Sequence, residues 1–482
     1  MKKGVFILML LLGMGCSMGM DDVVLMLEEP THGMNDRYRD YGENPFLSVE
    51  EYPVSTFSVD ADGASYANVR RFVLSGTQVP PEAVRVEDFI NYFTYDYPEP
   101  ETGENISLET ELTTCPWDAT HHLIRIGMKG RNIPEADLPA SNFVFLIDVS
   151  GSMNTADRLE TLKAGFIQMV DALRPIDRVA IVTYAGKAGV SLPSTPCTQR
   201  DKIKRELEKL GTKGATAGMA GIVKAYEIAM ENYIPQGNNR IILATDGDFN
   251  VGISSTEELV AFIRQKRNSG IFLTVLGVGR GNLNDEMIER LANHGNGNYE
   301  YIGSAAQVRK VFVDERLKFY TVAKDTKVQL TFNPGRVSAY RLIGYENRLM
   351  EESDFDDDDA DAGEIGVNQC VTALYEVVLA GEAPGGNYAQ LSVRYKKDLQ
   401  AVSRELKSAI AGEPVAMEQA SESSRFVAAV TGAGLLFKKS LYKGGLNWAM
   451  VTELAEGATR FDPHGYRADF CHLCELMVNR EP

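Results

Sequence analysis

Phe143-Val144-Phe145-Leu146-Ile147-Asp148-Val149-Ser150-Gly151-Ser152-Met153-Asn154 is the stretch whose reading decides the fold. It opens with an unbroken apolar run, Phe143 to Ile147, with two aromatic and two β-branched residues, the pattern of a short strand buried on both faces. At Asp148 the run breaks into Asp-x-Ser-x-Ser, which crowds three oxygen-bearing side chains together, with Gly151 to allow a tight turn. Oxygens packed at the carboxyl end of a strand repel one another unless a positive charge sits among them. A hard cation is one candidate, since carboxylate and hydroxyl oxygens suit Mg²⁺ or Ca²⁺ and not soft metals. A capped turn is the other, since Ser and Asp favour helix N-caps and a helix is expected to begin near Ala156. The pentapeptide alone is compatible with both.

Two later stretches bear on the choice. Gly214-Ala215-Thr216-Ala217-Gly218 opens a helix-like run over Met219–Asn232, and Arg240-Ile241-Ile242-Leu243-Ala244-Thr245-Asp246-Gly247-Asp248 is another buried strand ending in a carboxylate. Together, Asp148-x-Ser150-x-Ser152, Thr216 after a Gly-rich turn, and Thr245-Asp246-Gly247 resemble the metal-ion-dependent adhesion site of von Willebrand factor type A domains. All five positions of that motif are filled, in order and on the expected elements. The resemblance implies that Ser150, Ser152 and Thr216 supply hydroxyl oxygens to a divalent cation, while Asp148 and Asp246 bind it directly or through water. Mg²⁺ is the ion expected first, with Ca²⁺ and Mn²⁺ as alternatives.

At 482 residues the chain is too long for a single compact core, so about two to four domains are expected. A hydrophobic share of 44% with 24% charged residues excludes wholesale disorder. The net charge of −18, with no long basic cluster, would repel phosphate backbones and anionic lipid, so no nucleic-acid partner is expected.

The first residues read as an address. Lys2 and Lys3 precede an apolar run from Val5 to Leu12, followed by Gly13-Met14-Gly15-Cys16. This resembles a bacterial lipoprotein signal, residues 1–16, which implies lipidation at Cys16. Gly15 fits that pattern, and Gly13 departs from the Leu usual there. An uncleaved anchor and a simple signal peptide are the alternatives. All three export the remainder, so the expected location is the bacterial cell envelope, facing the periplasm or the cell surface. Without Cys16, five of the six cysteines remain, an odd number for a fully paired disulfide set. Cys471 and Cys474 have no second Cys/His pair at zinc spacing and read as residues of an amphipathic helix, Tyr466–Val478.

The expected organisation runs as follows. Residues 17–43 read as a flexible tether and 44–100 as a small α+β domain, with a strand near Thr56–Asp60 and helices at Ser65–Leu74 and Val84–Tyr95. Within it, Asp60-x-Asp62-Gly63-Ala64-Ser65 reads as a strand-to-helix turn with an N-cap, a second metal loop or an acid-phosphatase-like Asp-x-Asp site being the alternatives. Residues 106–130 alternate as two antiparallel strands, with His121-His122 at a strand edge facing solvent. Residues 142–320 alternate strand and helix, which implies a doubly wound, mostly parallel α/β sheet. Its strands are expected at Phe143–Ile147, Val179–Tyr184, Ile241–Ala244, Ile271–Leu276 and Tyr299–Ile302, and a single helix at Ala305–Phe319. Gly277-Val278-Gly279-Arg280-Gly281 reads as turn glycine, because its third Gly is one residue early for a dinucleotide loop. The remainder, 321–482, is β-rich over 321–397 and helical over 422–480, with a solvated acidic loop at 351–361. Strands on both flanks suggest a β-sandwich beside the α/β domain. Both flanks resemble the regions that accompany a von Willebrand A domain in a family of bacterial lipoproteins of undefined function.

The function this implies is a metal-dependent protein-binding module for adhesion or scaffolding. The cation would capture a carboxylate from an envelope or extracellular protein, with the partner chosen by loops Thr155–Arg158, Gly186–Cys197 and Asp248–Ser255. A metal-assisted hydrolase or phosphotransferase is a competing reading, set back by the absence of a nearby His and of a G-x-S-x-G elbow; His294 is a distant candidate base. A purely structural envelope scaffold is the third.

Overall fold

The α/β region forms a six-stranded sheet in the order Tyr299–Ile302, Ile271–Val278, Asn238–Thr245, Ser141–Asp148, Arg178–Tyr184, Ala188–Pro196. Neighbouring strands are parallel except at the edge, where Ala188–Pro196 runs antiparallel to Arg178–Tyr184. The computed structural model describes residues 36–214, 218–247, 256–381, 385–398 and 401–480. Alternate side chains of each strand point to opposite faces. Phe143, Phe145 and Ile147 meet Leu162, Phe166, Ile203 and Phe312 on one face. Val144 and Leu146 meet Ile222, Ala225, Ile263 and Ile288 on the other. Helices on both sides leave no wet face, which is why these strands read as continuous apolar runs.

The five expected strands of this sheet are present. Two expectations are corrected. The segment Gly186–Cys197, read as a binding loop, is mostly the edge strand Ala188–Pro196, whose Pro193 and Pro196 are tolerated because an edge strand has a free side. The single helix expected at Ala305–Phe319 is three short pieces, Ala305–Arg309, Lys310–Asp314 and Arg316–Phe319, with buried Lys310 and Lys318 both converging on Glu315.

This α/β unit is inserted into a β-sandwich. One antiparallel sheet orders Leu47–Ser48, Val337–Ile343, Cys370–Leu379, His122–Gly130 and Ile106–Thr114. The other orders Gly363–Gly366, Thr321–Phe332, Ala389–Lys396 and Arg404–Ile410, with Val54–Ser58 also paired to Thr321–Phe332. Ile124, Ile126, Ala373 and Tyr375 of the first sheet share a buried core with Phe57, Val328, Leu330 and Val393 of the second. Each sheet takes strands from before and after the insertion.

Residues 44–100 are accordingly not a separate domain. Val54–Ser58 belongs to the sandwich, and the helices Ala64–Leu74 and Val86–Asn91 pack with the C-terminal helices Glu422–Lys438, Trp448–Glu456 and Tyr466–Val478. Phe93 lies at the junction, its ring centroid 5.0 Å from Tyr66, 5.0 Å from Phe426 and 5.6 Å from Phe470. The guanidinium of Arg467 stacks 4.3 Å from the Phe426 ring and donates to Thr94 O and Ala458 O.

Residues 36–43, expected within the tether, are docked on the α/β domain. Asp36 accepts from Leu283 N at 2.8 Å and pairs with Arg71 at 3.1 Å, and Arg37 N donates to Leu283 O at 2.7 Å. The remaining tether residues and Cys16 lie outside the described residues. The acidic segment 351–361 is also docked. Phe355 is buried, Asp356 and Asp358 pair with Arg394, and Asp361 pairs with Arg267. His121 does not face solvent freely; its Nδ1 lies 2.6 Å from Glu376 Oε1. Cys115, Cys197, Cys370, Cys471 and Cys474 are unpaired. Among the described residues no helix is long and apolar enough to cross a membrane.

If the N-terminal segment and the C-terminal helices share one core, Phe93→Ala should cost about 3–5 kcal/mol in chemical denaturation. A loss under about 1 kcal/mol would contradict the shared core.

Candidate metal centre

Strand order in the central sheet reverses between Ser141–Asp148 and Asn238–Thr245, since successive strands run outward from this pair in both directions. A crevice opens at such a switch point, outside the carboxyl ends of the strands. Register sets Ile147 against Ala244, so Asp148 and Asp246 emerge next to each other at that edge. Both are fully buried.

Below Asp148 the chain turns back on itself. Ser150 N donates to Asp148 Oδ1 at 2.8 Å, and the Ser150 and Ser152 hydroxyls lie 3.0 Å apart. Thr245 Oγ1 lies 3.4 Å from Asp148 Oδ2 and also accepts from Gly247 N at 3.0 Å. Thr216 lies outside the described residues. Lys213 and Gly214 lie beside the motif, with Lys213 N donating to Val149 O at 2.6 Å and Gly151 N to Gly214 O at 3.0 Å. The loop Asp248–Ser255 is outside the described residues as well. Four of the five sequence-predicted ligands are therefore seen to converge.

The donor set suits a hard cation: two carboxylates and two hydroxyls, and no soft ligand. Burial pushes the Asp148 carboxyl up to about 6, with Asp246 adding to the push and the Ser150 donors opposing it. A positive charge beside Asp148 would relieve both effects.

One participant was not found from sequence. Arg158, expected among the partner-facing residues, points inward instead. Its Nη1 donates to Asp246 Oδ2 at 2.9 Å and to Ser152 O at 2.6 Å, and its Nη2 to Arg280 O at 2.8 Å and Asn282 Oδ1 at 2.6 Å. Asn282 Nδ2 also donates to Asp246 Oδ2, at 3.0 Å. Gly279, at φ +81°, makes room for this: a Cβ there would stand 2.2 Å from Arg158 Nε. The turn reading of the Gly277–Gly281 run holds, and its cause is the packing of an arginine. His294 stands at the far end of the helix Asp285–His294, whose cap residue Asn284 donates its N–H to Asp246 O. That places it about 15 Å along the axis from the crevice.

A doubly wound sheet with these elements defines a von Willebrand factor type A domain protein, and comparisons agree. Residues 143–248 match the profile of the von Willebrand factor type A domain, residues 32–125 a profile described as von Willebrand factor, and residues 318–385 and 380–479 that of "Uncharacterized protein YfbK, C-terminal". The chain is 38% identical over 471 residues to the uncharacterized protein YfbK of Escherichia coli K12, covering 91% of this chain and 80% of that one. It belongs to the YfbK family. A 162-residue stretch, 32% of this chain, is 30% identical to the inter-alpha-trypsin inhibitor heavy chain H3 of Bos taurus, covering 18% of that protein. Among solved structures, a von Willebrand factor type A protein from Catenulispora acidiphila aligns over 76% of this chain and 88% of its own, at TM-score 0.45 and 16% identity.

Arg158→Gln removes the positive charge paired with buried Asp246, so it should destabilise the protein by about 3 kcal/mol in thermal or chemical denaturation. Wild-type stability in this variant would show that the arginine is not the counter-charge of Asp246.

Proposed function

We propose that this protein is a metal-dependent protein-binding module of the bacterial cell envelope. The observation that carries this reading is the convergence of Asp148, Ser150, Ser152 and Asp246 at the switch point, with two fully buried carboxylates and, among the described residues, Arg158 as the cation that pairs with Asp246. Asp148, Ser150, Ser152, Thr216 and Asp246 would hold the ion, with Mg²⁺ favoured and Ca²⁺ or Mn²⁺ as alternatives. Mg²⁺ keeps several waters, so a site with few strong protein ligands suits it. When bound, the ion supplies an open position for a carboxylate of a partner protein. The chain's own contribution is positioning. Ser150 N and Thr245 Oγ1 fix the Asp148 carboxylate, Arg158 and Asn282 fix Asp246, and contacts at Val149 and Gly151 hold Lys213 and Gly214 beside the motif. Domains of this class mediate protein–protein interactions, which fits a binding role. A lipid on Cys16 would fix the protein to the membrane, with the partner an envelope or extracellular protein.

One observation favours a second reading. Arg158 already neutralises Asp246 in the crevice, as a purely structural scaffold would need. Hydrolysis is supported less, because His294 lies at the remote end of its helix.

Calorimetric titration of Mg²⁺ into the full-length protein should show one site per chain, lost in Asp148→Ala. Capture of a partner from solubilised envelope should require Mg²⁺ and fail in Thr216→Ala and Asp246→Ala. Capture that survives both changes and chelation would favour the scaffold reading.

A further inference from the structure

A second group of acids lies away from the Asp148 crevice, where the sandwich flank meets the α/β domain. Asp60 and Asp62 sit in the turn between the strand Val54–Ser58 and the helix Ala64–Leu74, and Glu289 sits on the helix Asp285–His294. They are 4%, 2% and 1% exposed. One carboxylate oxygen from each lies within 4.8 Å of the other two.

The turn does not do what the sequence suggested. Gly63 occupies the N-cap of the helix Ala64–Leu74 with no side-chain cap, and Ser65 N is satisfied by Asp88 Oδ2 at 2.8 Å. Asp62 instead reaches across to the edge strand of the α/β sheet, where Oδ1 accepts from Tyr299 N at 3.0 Å. Its Oδ2 is buried with no hydrogen-bond partner. Glu289 Oε1 accepts from Asn293 at 3.2 Å and Asn347 at 3.1 Å. Glu289 Oε2 receives no hydrogen bond and has only Arg85 Nη2 at 3.6 Å. Two of the three carboxylates thus keep an oxygen that no N–H or O–H reaches, which is costly in a buried site.

The charges do not balance. Asp60, Asp62, Asp88, Asp285 and Glu289 face two guanidiniums, Arg85 and Arg348. Arg348 is committed to Asp60 Oδ2 at 2.6 Å, and Arg85 to Asp285 at 2.6 Å and Asp88 at 3.1 Å. Burial, with Asp60, Glu289 and Asp88 around it, pushes the Asp62 carboxyl well above the usual range. A cleft of about 500 Å³, lined by Asp60, Asp62, Asn298, Asn347, Arg348 and Glu364, gives access from solvent.

We infer that Asp60, Asp62 and Glu289 form a second cation site, specific for Ca²⁺, that ties the sandwich flank to the α/β domain. The ligand number selects the ion. Three protein carboxylates suit Ca²⁺, which gathers many protein oxygens in flexible geometry, better than Mg²⁺, which keeps several waters and is usually held through one or two carboxylates. Water entering by the cleft completes the coordination that Ca²⁺ takes. The ion would hold the helix Asp285–His294 from its side, while the N–H of its cap residue Asn284 contacts Asp246 O at 3.3 Å.

The test uses full-length protein carrying Asp148→Ala, which silences the crevice, stripped with chelator. CaCl₂ titrated calorimetrically should show one site per chain and raise the melting temperature more than MgCl₂ at equal concentration. Adding Asp62→Asn should weaken Ca²⁺ binding by roughly tenfold or more. Glu289→Gln, which keeps the side-chain shape, should do the same and serves if the first variant does not fold. Absence of Ca²⁺ binding in the Asp148→Ala protein would overturn the inference. Binding that survives both substitutions would overturn it too, as would an Asp62→Asn protein that melts above its Ca²⁺-loaded parent, since a proton would then be holding Asp62.

Discussion

Asp148 and Asp246 end neighbouring parallel strands whose register, Ile147 against Ala244, brings two carboxylates out of the sheet together and fully buried. Desolvating a carboxylate costs several kcal/mol even after relaxation, and a second like charge nearby adds to it. The surroundings answer that cost locally. Ser150 N and Thr245 Oγ1 donate to Asp148, and Arg158 and Asn282 donate to Asp246. Even the glycine at position 279 is explained by it, since a side chain there would displace Arg158. Asp148 has no cationic partner of its own among the described residues, and in the proposed reading this is the gap that a divalent ion would fill.

The architecture around the crevice is interlocked and not strung along the chain. The α/β domain is inserted between Gly130 and Thr321 of the sandwich, and its two ends meet where Ser141 Oγ donates to Tyr320 OH at 2.9 Å. Segments from before and after the insertion complete both sandwich sheets and a common aromatic core around Phe93. The segment Asp36–Asp40 reaches the helix Asp285–His294 from one direction, and Asp62 reaches Tyr299 from another. The crevice therefore stands on a frame made by the flanks, which is how family-specific regions and a widely shared domain come to act as one body.

Signals that are local in sequence could be read from it. Apolar runs such as Phe143–Ile147 and Ile241–Ala244 identify strands covered on both faces, and Asn284 caps the helix at Asp285 by accepting from Met287 N. The convergence of Asp148, Ser150, Ser152 and Asp246 was readable because each lies at or just beyond the carboxyl end of a recognisable strand. The edge strand Ala188–Pro196 was not, because its prolines and small polar residues look like a loop and its pairing is satisfied on one side only. Arg158 reads from sequence as a loop residue, whereas it lies in the helical turn Ala156–Glu160, and its inward direction depends on Asp246, 88 residues away. The same holds for Asp60 with Arg348, 288 residues apart, where spacing carries no information and only the fold supplies the partner. The docking of Asp36 and of the acidic segment escaped notice for that reason as well: their arginine partners, Arg71, Arg394 and Arg267, are remote.

The most direct measurement is a crystal structure of the full-length protein grown with MnCl₂, with anomalous scattering recorded to locate manganese. The account predicts a peak in the crevice bounded by the Asp148 carboxylate and the Ser150, Ser152 and Thr216 hydroxyls, with Asp246 still held by Arg158. An anomalous map with no peak there at saturating manganese, and with Asp148 in contact only with protein groups, would contradict it.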